Sequence, residues 1–364
     1  MHSVHSIHRF GGQHGLYRSL WPDARIARTT GTLLRAAVVR AARDRAVGRW
    51  RGGGGVAEPA PLGDDHVHPD IATEENRVSI AQSTVEHRSG GTGPSAETLL
   101  WQRNRDEAAG PQDQWNDTLA TIVNHRSVRA FLPSPLPAGT LELLIAAAQS
   151  ASTSSNLQLW SVVAVEDRER KARLSELAGA QKFIRDAPLL LVWLCDHARL
   201  DAIAAERQTP VDGLQYLEEF IVGIIDAALA AQSAAIAAES LGLGCVYIGA
   251  VRNLPEQVAA ELGLPPRVFA VFGMSVGVPD PAGETGVKPR LPRPVVLHRE
   301  QYAGGSREAE IARYNATVRG FQREQGMREQ DWTQQSIDRV KDAGALRGRD
   351  RMLAALRALG FELW

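Results

Sequence analysis

The feature that most constrains the fold is one long, almost uncharged segment at residues 220–238. It is rich in alanine and carries a single acidic residue, Asp226. A carboxylate at the centre of a bilayer costs about 2.5–3.5 kcal/mol even on lenient scales, which disfavours a membrane span. Alanine instead suits a helix that is buried between protein layers. The sequence therefore predicts a fold built around one dominant helix, at about residues 217–241.

Shorter elements surround this helix from residue 96 onward. Valine-rich and leucine-rich runs predict buried strands, and apolar faces at helical spacing predict helices. The order of elements predicts an α+β body. Strands are predicted at 160–166, 188–195, 245–248 and 268–276, and helices at 97–104, 115–124, 137–150 and 168–178, with another helix capped by Asn253 and ended by Gly263.

Residues 1–95 have a different pattern. They hold seven of the ten histidines, an unbroken glycine run at 52–55 and an Arg-rich stretch at 21–51. Weak periodicity predicts a disordered, solvated extension, and the folded domain is expected at 96–364. The spaced residues His2, His5 and His8 lack fixed partners, so no metal site is predicted. The arginines leave open a tail that binds a polyanion or a membrane surface.

Charge and cysteine content exclude several classes of protein. The formal net charge is -1, which gives no bulk attraction to nucleic acid or membrane. The two cysteines, Cys195 and Cys245, lie in apolar runs and form no CxxC pair. A zinc or disulfide framework is therefore not expected. We expect a reducing, cytoplasmic location.

Two cationic motifs are suited to a phosphate. His125-Arg126-Ser127-Val128-Arg129 offers two guanidiniums, an imidazole and a hydroxyl, and such donors match phosphate oxygens. Lys288-Pro289-Arg290 places two cations on either side of a stiff residue. Taken alone, each motif is equally compatible with a solvated, charged loop.

Two further motifs could line a flat polar ligand. Residues 152–156 are a run of small hydroxyls and an amide between a predicted helix and a predicted strand. Residues 244–250 hold small residues near a strand end, where a ring could approach the backbone. A capping loop and a tight turn are the simpler interpretations.

In combination, these motifs resemble the FMN-dependent nitroreductase family, in particular its NADPH-linked nitroreductases and flavin reductases. The resemblance covers residues 96–364. The segments that carry it are HRSVR (125–129), STSSNLQ (152–158), GAQK (179–182), AAESLGLGCVYIGAVRN (237–253) and KPRLP (288–292).

The resemblance implies an oxidoreductase that takes hydride from NADPH, with NADH as an alternative. Nitroaromatics, quinones or free flavin would accept the electrons in a ping-pong cycle. No catalytic side chain is strictly required, because the flavin N5 carries the hydride. The family also implies a nitroreductase-like fold, with a central, mostly antiparallel sheet flanked by helices, and a homodimer with the long helix at its interface.

Roles for individual residues follow from the resemblance alone. Arg129 and Lys288 would supply charge support to the flavin. Arg319 is expected in a mobile loop that binds the NADPH 2'-phosphate, Arg349 at the substrate mouth, and Asn156 beside the substrate. The implied FMN contacts are His125, Arg126, Ser127, Val128, Arg129, Thr153, Ser154, Ser155, Gln181, Tyr247, Ile248, Gly249, Ala250, Lys288, Pro289 and Arg290.

Departures from the family pattern and two rival classes qualify this prediction. Asn156 stands where relatives can carry an aromatic residue, and Ala250 stands where a second glycine is common. One rival is a flavin-binding sensor or carrier without turnover. The other is a polyanion-binding protein that acts through its basic N-terminal tail.

Overall fold

Four strands form one antiparallel sheet at the centre of the fold. The computed structural model describes residues 94–105, 113–283 and 285–364. The strands lie in the order β1-β2-β4-β3. Both central strands are buried along almost their whole length, which is why they are continuous apolar runs in the sequence. The strands are β1 (Trp160–Val165), β2 (Leu189–Asp196), β3 (Gly244–Ile248) and β4 (Val268–Gly277).

Helices cover both faces of the sheet. Alternate residues of a strand point to opposite faces, so β2 sends Leu191 and Trp193 to one side and Leu190 and Val192 to the other. The first side packs against the long helix α7, and the second against the helices that follow β1 and β3. The helices are α1 (Ala96–Asn104), α2 (Asp117–Val123), α3 (Thr140–Gln149), α4 (Arg168–Leu177), α5 (Lys182–Asp186), α6 (Ala198–Arg207), α7 (Leu217–Ser240), α8 (Pro255–Leu262), α9 (Arg293–Val296), α10 (Glu308–Glu324), α11 (Trp332–Val340) and α12 (Met352–Ala358).

Small residues let helix α7 lie close to the sheet. Six of its alanines are fully buried, among them Ala227 and Ala231. A Cβ added at Gly223 would lie 2.4 Å from Cys195 Sγ, so only glycine fits at this contact. The helix also has the length and hydropathy of a membrane span, but half of that apolar window is buried inside the protein. Its inner face is therefore part of the core, as the alanine content predicts.

Some predicted details of the helices are wrong. Leu254, not Asn253, occupies the N-cap position of α8, and Asn253 Oδ1 is buried without a hydrogen-bond partner among the described residues. The helix expected from residue 137 begins at Thr140, after Gly139 in the left-handed region at φ 81°. Helices α5 and α6 were not predicted. The histidines and arginines of the N-terminal extension lie outside the described residues.

Candidate functional site

The chain after β4 runs back along the segment that carries the first cationic motif. Val128 N donates to Cys245 O at 3.0 Å, which pairs this segment with the edge strand β3. Leu132 N then donates to Val278 O at 2.9 Å, and Thr285 Oγ1 donates to Ser127 O at 3.1 Å. Because of this pairing, residues 125–129 and 285–290 become two walls of one site.

A cavity of about 300 Å³ lies between these walls and the end of α10. Five cationic side chains and one imidazole line it, and no described carboxylate does. The structure therefore brings together the two cationic motifs that the sequence singled out. The lining residues are Arg103, His125, Arg126, Ser127, Arg129, Thr285, Gly286, Lys288, Arg290, Phe321, Gln325 and Met327.

The cations of this cavity repel one another. Partial enclosure, together with the charges of Arg129 and Arg290, lowers the pKa of Lys288. Burial and the charge of Arg290 lower the pKa of Arg103 to about 10. A phosphate dianion would relieve this repulsion and accept several charge-assisted hydrogen bonds, so the residues present fit the phosphate end of a nucleotide.

His125 is held in place by a carboxylate that sequence reasoning missed. Its Nδ1 lies 2.6 Å from Glu239 Oε1, which leaves Nε2 as the free ring nitrogen. Cys245 Sγ lies within 4.8 Å of both groups. Burial raises the pKa of the Cys245 thiol to about 12, so a neutral thiol beside a His125–Glu239 hydrogen bond is the simplest description of the cluster. His125 and Glu239 lie 114 residues apart, and no local sequence pattern predicts such a contact.

The hydroxyl run at residues 152–156 forms a short, irregular turn that a buried carboxylate holds by hydrogen bonds. Asp226 of α7 is 1% exposed and accepts Ser154 N and Leu159 N, each at 3.1 Å. Ser155 and Asn156 both adopt left-handed backbone, at φ 48° and 54°. Asn tolerates this conformation better than an aromatic residue does, which suits the departure seen at position 156. Thr153, Ser154, Ser155 and Asn156 do not line the cationic cavity.

Five other predicted flavin contacts also lie outside the lining of this cavity, namely Gln181, Tyr247, Ile248, Gly249 and Ala250. Tyr247 and Ile248 end β3, and Gly249 and Ala250 begin a 3-10 turn. A Cβ at Gly249 would approach Arg252 Nη2 at 3.2 Å, so a larger residue would press on that side chain. Gln181 precedes α5, and its Nε2 donates to Ala178 O at 2.8 Å. Pro289 lies in the second wall, and its carbonyl accepts the Tyr314 hydroxyl at 3.0 Å.

Arg319 and Arg349, the two arginines assigned to NADPH and substrate, do not line the cationic cavity. Arg319 lies within helix α10 and pairs with Asp331, so its expected place in a loop is wrong. Arg349 Nε donates to Leu346 O at 3.1 Å. Burial and the charges of Arg339, Arg252 and Arg347 lower its pKa.

Residues 122–278 match the sequence model described as "Nitroreductase family", and residues 288–364 match "Nitroreductase family, C-terminal domain". The FMN reductase (NADPH) of Bacillus subtilis is 39% identical over 231 residues, which are 62% of this chain and 92% of the relative. The solved NfrA1 nitroreductase of B. subtilis has a TM-score of 0.63 and 36% identity, covering 68% of this chain and 99% of its own. The NADPH:FMN oxidoreductase of Vibrio harveyi, solved with NAD+, has a TM-score of 0.61 and 34% identity, with coverage of 68% and 99%.

Proposed function

Because this chain belongs to the nitroreductase family, we propose that it is an FMN-dependent oxidoreductase that consumes NADPH. Its relatives include proteins named FMN reductase (NADPH) and NADPH-dependent oxidoreductase. The observation that carries the proposal is the cavity with five cations and no described carboxylate. Such a site is unfavourable when empty of anions and suits the dianionic phosphate of FMN.

Bound FMN would supply the redox chemistry, accepting a hydride from NADPH and passing two electrons to a second substrate. The side chains of this protein would bind FMN and stabilise its more negatively charged forms. Arg129 and Lys288 place positive charge at the site, which favours any form of the cofactor that carries more negative charge. His125 lines the cavity, and Glu239 fixes the orientation of its ring. No protein acid or base is strictly needed.

We assign nitroaromatics, quinones or free flavin as the electron acceptors, reduced in a ping-pong cycle. In such a cycle NADP+ leaves before the acceptor binds at the same place. The preference for NADPH over NADH rests on the names of the relatives, since Arg319 is already paired with Asp331.

A homodimer is also part of the proposal. Four aliphatic side chains of α7 are between 43% and 49% exposed and recur every four residues. They form a continuous apolar ridge along the helix, defined by Leu217, Ile221, Ile225 and Leu229. Ridges of this spacing pack well against a second helix, and a twofold copy of α7 would cover this one.

A cytoplasmic location agrees with the chemistry of the described residues. Cys195 and Cys245 are free and buried, and burial raises the pKa of both thiols. Neither thiol is poised to form a disulfide.

The visible spectrum of the purified protein tests the cofactor assignment. We expect a yellow protein that releases FMN on heating and oxidises NADPH steadily when a quinone is present. A coloured protein without NADPH oxidation would indicate a carrier or sensor. A colourless protein that does not take up added FMN would refute the proposal.

Lys288→Ala tests the cationic cavity directly. Loss of one charge-assisted contact costs about 1.5–3 kcal/mol, so FMN affinity is expected to fall roughly 10- to 100-fold. The rate of flavin reduction by NADPH should fall with it. Lys182→Ala is the matched control, since Lys182 is 79% exposed and pairs only loosely, at 3.7 Å, with Asp186. Equal FMN affinity in both variants would remove Lys288 from the site.

A further inference from the structure

Helix α1 lies outside the part of the chain that matches the family. The matched ranges are 122–278 and 288–364, whereas α1 spans Ala96–Asn104. Even so, Arg103 of α1 lines the cationic cavity. The helix therefore contributes to the candidate site although it precedes the matched ranges.

Arg103 ties together the two walls that carry the cationic motifs. Its Nη2 donates to Val123 O at 3.0 Å, just before the first motif, and also to His125 O, the first residue of that motif. Its Nη1 donates to Lys288 O at 2.9 Å, in the second motif. A backbone hydrogen bond joins the same two segments, because Arg290 N donates to Arg103 O at 3.0 Å. The guanidinium thus cross-links the two walls, and Lys288 lies 185 residues from Arg103 in the chain.

Arg105, which follows α1 directly, connects this helix to the end of α10, which forms the third wall of the cavity. Arg105 makes a bidentate pair with Glu324, at 2.8 and 2.7 Å, and its guanidinium lies 4.4 Å above the Trp101 ring. Glu324 stands beside Gln325, which lines the cavity and accepts Gly286 N at 2.7 Å. Helix α1 is consequently fastened to all three walls of the cavity.

We propose that α1 is a clasp that slows the release of FMN, with Arg103 as the positioning residue that fixes the two cationic walls. The inference rests on the proposed function, in which this cavity holds the FMN phosphate. Both walls are positively charged, so they repel each other, and the bond from Thr285 Oγ1 to Ser127 O alone would hold them less firmly than two cross-links. Arg103 supplies the second cross-link through backbone carbonyls, and a cofactor held between fixed walls then dissociates more slowly.

Two sets of variants of the full-length holoenzyme test the clasp, with FMN release followed by the rise of flavin fluorescence after dilution. Arg103→Ala removes four hydrogen bonds to three carbonyl oxygens and should speed release about tenfold or more. Arg103→Lys keeps the charge and one donor, so its release rate should fall between wild type and Arg103→Ala.

The second set of variants distinguishes an effect of α1 on FMN release from a general loss of protein stability. Arg105→Glu should speed release, and adding Glu324→Arg should restore the slow rate by rebuilding the pair with its charges exchanged. Arg173→Glu is the matched control, because Arg173 makes a similar bidentate pair with Glu261, at 3.0 and 2.9 Å, far along the chain from these walls. Its release rate should equal that of wild type.

Wild-type release rates in Arg103→Ala, or failure of the exchanged pair to restore slow release, would overturn the clasp. If Arg103→Ala does not fold, the Arg105 and Glu324 exchange decides alone. A wild-type protein that binds no FMN would instead refute the proposed function, so the two failures are distinguishable.

Discussion

Asp226 shows how one buried carboxylate can organise a distant loop. It lies on the inner side of α7, yet both of its oxygens accept backbone N–H groups from the turn at residues 153–159. That turn has left-handed backbone at non-glycine residues, which costs free energy unless neighbouring contacts hold it. The charge that argued against a membrane helix therefore stabilises a strained polar turn.

Asp226→Asn should destabilise the protein. The amide keeps one acceptor and places a donor against a backbone N–H, so one buried N–H loses its partner. The expected loss is about 1–3 kcal/mol in the free energy of unfolding, measured with urea. Amide hydrogen exchange at Ser154 and Leu159 should accelerate more than elsewhere.

The exposed residue Asp186 provides the comparison. Asp186→Asn weakens surface pairs with Arg185 and Lys182 and should cost about 0.5 kcal/mol or less. If both variants lose the same free energy of unfolding, the hydrogen bonds of Asp226 to the turn have no special role.

At the scale of elements, the sequence predicted the parts that depend on local pattern. The four strands and α7 were predicted within one or two residues, because each is a buried apolar run between clear breaks. The helices α5 and α6 are short or charged and were missed. The walls of the cavity were predicted from their cations, whereas Arg103 and Glu239 were not, since the contacts Arg103–Lys288 and Glu239–His125 each join residues more than 100 positions apart.

The apolar ridge of α7 carries a prediction about assembly. Ile225→Glu would place an unpaired charge in the proposed dimer interface, and such burial costs about 3–5 kcal/mol. Dimer affinity should then fall at least about 100-fold, which sedimentation at micromolar concentration would detect as a monomer.

Ile203→Glu of α6 is the matched control, since Ile203 is 45% exposed and lies off the ridge. It should leave the mass of the assembly unchanged. Finding that wild type is itself a stable FMN-loaded monomer would contradict the dimer.

At the scale of the whole molecule, the family likeness and the described fold coincide. Solved relatives are covered over 99% of their length by only 68% of this chain. The net charge is -1, so the cationic cavity reflects local placement and not overall composition. The division of the chain into an extension at 1–95 and a catalytic body at 96–364 stays a prediction, and it can be tested by trimming.

A chain that begins at residue 94 should keep its FMN, its release rate and its NADPH oxidation. This boundary preserves Ser95, whose Oγ accepts Thr98 N at 3.2 Å and caps α1. A chain that begins at residue 113 removes α1 and should bind FMN but release it faster, as the clasp requires. Full activity in the first chain together with salt-sensitive DNA retention seen only in the complete protein would show that the extension binds polyanions. Loss of both flavin and turnover in the first chain would instead mean that residues before 94 belong to the catalytic fold.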